Sequence, residues 1–337
     1  LKSNVSNLKK AIAVLISDLA VIMNLITIAL LGFFVGALLL TIAWTVFGKL
    51  IGSYSIQSQK TLILTWVLGP WVLGLMTMLF FSPLFEGTAI YNWVESVVHW
   101  HHLYVFQFSS WHGVSVVLFV LFSIALIAIK GTQLYRQGNA INTLKHFSMA
   151  EDQSQGQHNV QIIDSDIPTA FTAGFFRPVC YVAKGMADNL SDKELDIVME
   201  HELAHARNRD PLTKLLIAFL SAYYPKRLAQ LLNSKYALLT EHIADQSTVI
   251  GHSAEDVAAT LVKVVRLNTV LPKNASNTSL SFFGGNDISQ RVQQLLTPTR
   301  KSMPVIVPIA FMTVMLCFTI VAVDATHHLV ESVFTHS

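Results

Sequence analysis

Residues 20–46 read AVIMNLITIALLGFFVGALLLTIAWTV, a stretch without a single Asp, Glu, Lys or Arg. A helix needs about 20 apolar residues to cross a bilayer, so this run predicts a membrane-spanning helix. Apolar sequence continues on its N-terminal side through 11–19, although Asp18 and Asn24 sit awkwardly within it. Three further runs, 61–81, 113–129 and 304–323, meet the same criterion. The whole chain agrees: its 337 residues are 52% hydrophobic and 13% charged, with a mean hydropathy of +0.49. A soluble domain carries about a quarter charged residues. The predicted fold is therefore mainly α and polytopic, with four transmembrane helices. Residues 1–129 hold three spans, 130–302 form a more polar domain, and 303–337 hold the fourth span and a short tail.

Positive charge in the connections orients the chain. Lys49 and Lys60 follow the first span, Lys130 and Arg136 follow the third, and Arg300 and Lys301 precede the fourth. The loop 82–112 carries Glu86 and Glu95 and no Lys or Arg. The polar domain is thus expected in the cytoplasm, with the 82–112 loop and the tail outside. Lys2, Lys9 and Lys10 oppose a single first crossing. Either the first ten or so residues lie on the outer surface, or the long run turns back as a tight hairpin; the single helix is preferred. That run is too long for the apolar core of a cleavable signal. A net charge of +2 with no basic cluster gives no reason to expect direct nucleic-acid binding. Cys180 and Cys317 stand far apart, which argues against a disulfide framework and a cysteine zinc site.

Within the polar domain, 153–157 reads as a linker, 159–163 alternates like a strand, and 170–182 is β-like between Pro168 and Pro178. Ser191-Asp-Lys-Glu194 is a capping-box pattern that opens a helix to about Asn208. Asp210-Pro211 reads as N-cap and first position of the next helix, which stops at Pro225. That segment is very apolar but too short to span, so it is expected to pack on the membrane surface or the transmembrane bundle. Helices over about 226–250 and from Ser253 to about Asn268 follow.

The chemistry lies in HELAH, residues 201–205. Two histidines four apart on a helix project from one face, the spacing that lets both imidazoles share a Zn²⁺. Glu202 sits to the side, where a carboxylate reaches the attacking water as general base without binding the metal. Paired histidines on a helix are also common as ordinary surface or packed residues. Here Ile197-Val-Met199 makes the helix partly buried, and EHIAD, residues 241–245, supplies a third ligand. Glu241 completes a His2Glu set, and Asp245, one turn on, is placed to hold the far nitrogen of a ligand histidine.

This HExxH…ExxxD arrangement resembles the gluzincin class of zinc peptidases. HELAHARNRDP, residues 201–211, resembles more narrowly the BlaR/MecR-type membrane metallopeptidases. AFTAGFFRP, residues 170–178, resembles the strand that precedes the zinc helix there and in HtpX-like peptidases. By that resemblance Ala170, Phe171, Thr172, Ala173 and Gly174 form an edge strand pairing with extended substrate, although a plain core hairpin is the alternative. Residues 288–296, ISQRVQQLL, resemble the family's closing helix. The resemblance implies a cytoplasmic α+β gluzincin-type domain between the third and fourth spans of a bacterial inner-membrane protein. It implies a zinc metalloendopeptidase using zinc-activated water in regulatory signalling, cleaving a transcriptional repressor or itself. The rivals are an HtpX-like quality-control protease, disfavoured by the single span after the zinc helix, and a non-proteolytic subunit or receptor of a membrane complex. Partners implied are a protein substrate, the lipid bilayer and other membrane proteins. Sensor-type members carry a large extracytoplasmic domain after the fourth span; the sequence in hand stops at Ser337, so β-lactam sensing is not expected.

Weaker candidates remain. His99, His101, His102 and His112 fall in the outer loop and His327, His328 and His336 in the tail, a potential imidazole metal site. Trp93, Trp100 and Trp111 instead suggest a boundary belt, which histidines also join. His242, His252, Arg291 and Tyr223 are each placed to donate to an oxyanion or simply to support structure. Met312, Met315 and Cys317 read as packing.

Overall fold

The computed structural model describes residues 14–16, 18–89, 92, 104–147, 160–269, 285–299 and 301–335. It is mainly helical, with a small sheet and four helices long and apolar enough to cross a membrane. A short strand β1 (Val14–Ile16) precedes α1 (Asp18–Phe47), the first of these helices. Val14–Ile16, within the expected N-terminal extension of the helix, is thus a strand instead: β1 pairs antiparallel with β2 (Val105–Gln107), Leu15 facing Phe106. Asn24, awkward by sequence, donates its side-chain amide to the Val105 carbonyl at 3.1 Å. Asp18 is exposed at the helix start, where a carboxylate suits the helix dipole. Residues 18–47 form one helix, long and apolar enough to cross a membrane.

The second span, α2 (Ile56–Phe80), crosses α1 closely. A Cβ added to Gly74 would sit 2.6 Å from the Ala29 carbonyl oxygen, so only glycine permits this approach. Small residues at such contacts let membrane helices pack where the hydrophobic effect contributes little. The third span belongs to α3 (Trp111–Phe147), which runs well past residue 129.

Three strands follow: β3 (Val160–Ile163), β4 (Ala170–Ala173) and β5 (Val179–Ala183), in the order β3-β5-β4. β5 is central, parallel to β3 and antiparallel to β4, so among the described residues β4 is an edge. Then come α4 (Lys184–Asn189), α5 (Asp192–Asn208), α6 (Asp210–Leu220), α7 (Lys226–Thr248), α8 (Ala254–Thr269) and α9 (Gly285–Leu296). The capping box on α5 is formed: Ser191 and Glu194 exchange side-chain and backbone hydrogen bonds. The final helix, α10 (Ile306–Thr335), continues beyond the expected tail boundary at 323. The expected linker 153–157, the N-terminal lysines and the sites at Trp93, His99, Trp100, His101, His102 and His336 lie outside the described residues.

The apolar α6 helix packs against the transmembrane bundle. Ile217, Tyr224, Leu228, Leu232, Tyr236 and Leu239 share one core with Leu40 of α1 and Ile56, Leu62, Trp66 and Leu73 of α2. The turn between α6 and α7 reaches Trp66, about 15 Å along α2 from Ile56 at a rise of 1.5 Å per residue. Pro70 within α2 has no N–H and so cannot bond the Trp66 carbonyl one turn below it. The Tyr224 hydroxyl donates to that carbonyl instead, at 2.6 Å. An apolar bundle tolerates an orphaned carbonyl poorly, so Pro70 and Tyr224 form one structural unit.

Candidate metal centre

The capping box holds the start of α5, and helical geometry then carries His201 and His205 to one face, four residues apart. The two Nε2 atoms lie 3.2 Å apart. From α7, Glu241 Oε2 lies 3.4 Å from His201 Nε2 and Glu241 Oε1 lies 3.5 Å from His205 Nε2. Ligands at about 2.0–2.1 Å from a tetrahedral zinc stand roughly 3.3 Å from one another. The two imidazole nitrogens and the two carboxylate oxygens of Glu241 thus surround one point at spacings near that value, and His201, His205 and Glu241 form the single group able to hold a metal among the described residues.

Each histidine is oriented from behind. Asp245 Oδ1 lies 3.1 Å from His201 Nδ1, on the same carboxylate that Arg291 grips with Nε at 2.9 Å and a terminal nitrogen at 2.7 Å. Asp210 Oδ2 lies 2.6 Å from His205 Nδ1. Both arrangements leave Nε2 facing the common point, as metal-binding imidazoles require. By its sequence Asp210-Pro211 is expected as N-cap and first position of α6. In the structure Arg209 takes that place, with a left-handed φ of 52°, and the sharp turn returns Asp210 onto His205. Lys214 also enters unannounced, its ammonium 3.3 Å from Glu241 Oε1.

The electrostatics suit a cation. Burial opposes charge on His205, but hydrogen bonds to Asp210 and then Glu241 outweigh it and hold the imidazole up at about 10. His201 is raised too, as Asp245 and Glu241 overcome its burial. Burial likewise works against Glu241 and Asp245 as carboxylates. His201 and His205 nevertheless keep Glu241 well below the usual carboxylate range, and Arg291 and His201 do the same for Asp245. The centre concentrates carboxylates around two imidazoles whose affinity for positive charge is raised, the setting a divalent ion would complement.

Glu202 projects beside this set, held by Thr172 of β4. Of the four oxyanion candidates, Arg291 reaches the centre, with one terminal nitrogen 3.3 Å from Glu241 Oε2 and the other 3.5 Å from His201 Nε2. His242 is buried next to Glu241, and burial lowers its pKa. His252 pairs with Asp196 at 3.1 Å. Tyr223 is placed elsewhere: its ring lies among Phe33, Trp71 and Phe119 of the membrane helices and its hydroxyl donates to Ser123. Its position at the apolar tip removes it from the oxyanion role. Trp111, His112 and His327 pack ring to ring near the other end of the bundle, with His328 beside Asp324. Met312 and Met315 pack on the shared core and Cys317 is exposed.

Residues 92–295, which take in all of the centre, match the family BlaR1 peptidase M56. The chain belongs to that family. Two curated proteins are also similar to it, the Protease HtpX homolog 2 of Methanosarcina mazei, 27% identical over 138 residues, and that of Methanosarcina acetivorans, 26% identical over 142. Each alignment takes in 36% of this chain and 46% or 48% of the relative, so the chain spans about half the length of the curated relatives it matches. For an M56 peptidase, the polar cluster between α5 and α7 is the place to look for chemistry.

Proposed function

We propose that this M56 family member is an integral-membrane zinc endopeptidase, with His201, His205 and Glu241 as metal ligands and Glu202 as general base. The observation that carries the reading is the convergence of two imidazole nitrogens and the Glu241 carboxylate, with contacts of 3.2–3.5 Å, and a second carboxylate, Glu202, close enough to act on His205 electrostatically. When bound, zinc would polarise the scissile carbonyl and make a water acidic enough to attack at neutral pH. Glu202 takes the proton of the attacking water and returns it to the departing amine. Asp245 and Asp210 fix the tautomers of the two histidines, and Arg291 neutralises the buried Asp245 while presenting charge to the centre. The outer edge of β4, with Gly174 just after it, would offer backbone groups to an extended substrate.

The peptidase domain is assigned to the cytoplasmic face by Lys49, Lys60, Lys130 and Lys301 beside the spans. The physiological role proposed is regulatory cleavage of a repressor or of the chain itself, which its M56 membership supports. A second reading, quality control of membrane proteins, is favoured by the names of the similar HtpX homologues. The test uses the full chain in lipid nanodiscs, loaded with zinc and given a fluorescently labelled unfolded polypeptide. Glu202→Gln is expected to keep zinc and lose cleavage by about 10²–10⁴-fold. Wild-type cleavage by that variant would refute Glu202 as the general base, and a cellular phenotype that survives Glu202→Gln would point to a receptor or scaffold role.

A further inference from the structure

The Thr172 hydroxyl lies 2.7 Å from the Glu202 carbonyl oxygen and 2.9 Å from Glu202 Oε2. Strand alternation separates its face from that of Phe171, whose ring stacks on Tyr181 at 5.3 Å. Ala170, on Thr172's face, packs in the cluster that includes Val198, Met199 and Leu203 of α5. Thr172 is therefore a polar group on a largely apolar contact between strand and zinc helix, and both of its acceptors belong to one residue. A hydroxyl has one proton to donate, and a carboxylate is the stronger acceptor. A glutamate left free in a half-exposed cleft samples several rotamers, and catalysis requires one of them.

We propose that Thr172 is a positioning residue for the general base, fixing the Glu202 carboxylate from the strand that aligns the substrate. The inference rests on the peptidase reading above. A peptide paired with the β4 edge has its register set relative to Thr172, and through Thr172 relative to Glu202. Substrate alignment and base alignment thus share one element, with no intervening loop.

The experiment compares Thr172→Val, which keeps the shape and loses the hydroxyl, with Thr172→Ser, which keeps the hydroxyl and loses a methyl. Both are made in the full zinc-loaded chain in nanodiscs, beside Glu202→Gln. Zinc content, cleavage of labelled unfolded casein and binding of a peptide hydroxamate are measured. Thr172→Val is expected to retain zinc and KM while kcat falls about 10–100-fold, the worth of one hydrogen bond to a charged group. Hydroxamate affinity is expected to fall with it, Thr172→Ser to restore both, and the double variant with Glu202→Gln to be no worse than Glu202→Gln alone. The proposal is overturned if Thr172→Val matches wild type while Glu202→Gln does not. Loss of zinc, or a Thr172→Ser variant as impaired as Thr172→Val, would also overturn it, marking Thr172 as packing. If Glu202→Gln itself cleaves normally, the general-base assignment has failed and this proposal falls with it.

Discussion

The helix α7 lives in two environments, and its two ends satisfy one physical requirement in opposite ways. Near the tip it shares with α6, the contacts to the membrane helices include neutral hydrogen bonds: Tyr224 to the Trp66 carbonyl and Tyr223 to Ser123, with Trp66 Nε1 donating to the Leu40 carbonyl at 3.1 Å. About 22 Å further along α7, at 1.5 Å per residue from Lys226, Glu241 and Asp245 join two histidines, Arg291 and Lys214 in a network of charges. A buried polar group is costly unless it is paired. At the tip, neutral hydrogen bonds meet that requirement for Tyr224, Tyr223 and Trp66 within an apolar bundle. At the other end, acceptors accumulate beyond what neutral donors could match, and a cation is the natural complement. A single hairpin therefore couples membrane packing to the geometry of the metal centre, through Asp210 at the start of α6 and Glu241 on α7.

That contrast can be broken most severely at the charged end. Asp210→Asn removes the carboxylate behind His205 and is expected to weaken zinc binding about 10–100-fold, as loss of such a partner does elsewhere. Competition with a chromogenic chelator measures it, and unchanged affinity would show that Asp210 does not orient the imidazole. At the neutral end, Tyr224→Phe strands the Trp66 carbonyl that Pro70 already frees from its helix. The expected loss is about 1–3 kcal/mol of stability, read by denaturant or thermal unfolding in detergent. Zinc affinity should change less than in Asp210→Asn; an equal fall would mean that the tip governs the site directly.

The smallest effect concerns the start of α5. Lys263, and then Ser191, hold the Glu194 carboxyl down at about 2, from an ordinary 4.5. A depressed carboxyl contributes stability above its unfolded value and loses it as pH falls through the folded one. Glu194→Gln is accordingly expected to flatten the thermal stability profile between about pH 4.5 and 2, slightly, because the pair is solvent-accessible. An unchanged acid limb would remove Glu194 from the account.

Much of this was legible in the sequence because it rests on local periodicity. The four apolar runs, the capping box at Ser191, and the one-turn spacings of His201 with His205 and Glu241 with Asp245 are properties of neighbouring residues on a helix. The misses have physical reasons. Asp210 followed by Pro211 carries a helix-start signature, and only the left-handed turn at Arg209 reveals that its carboxylate folds back. The helical reach of 324–335 and the strand at Val14–Ile16 depend on partners far along the chain, as do the contacts of Lys214 and Thr172. Tyr223 illustrates the converse: proximity in sequence to the zinc motif placed it near the chemistry, while α6 carries it to the opposite end of the hairpin.

The central claim is that His201, His205 and Glu241 bind one zinc ion together. X-ray absorption at the zinc edge, on the purified full chain in nanodiscs, tests it most directly. The account expects one zinc per chain, with two imidazoles and oxygen ligands at about 2.0–2.2 Å, and loss of one imidazole signature in His205→Ala. Sulfur ligation, substoichiometric zinc, or a spectrum indifferent to His205→Ala would contradict it.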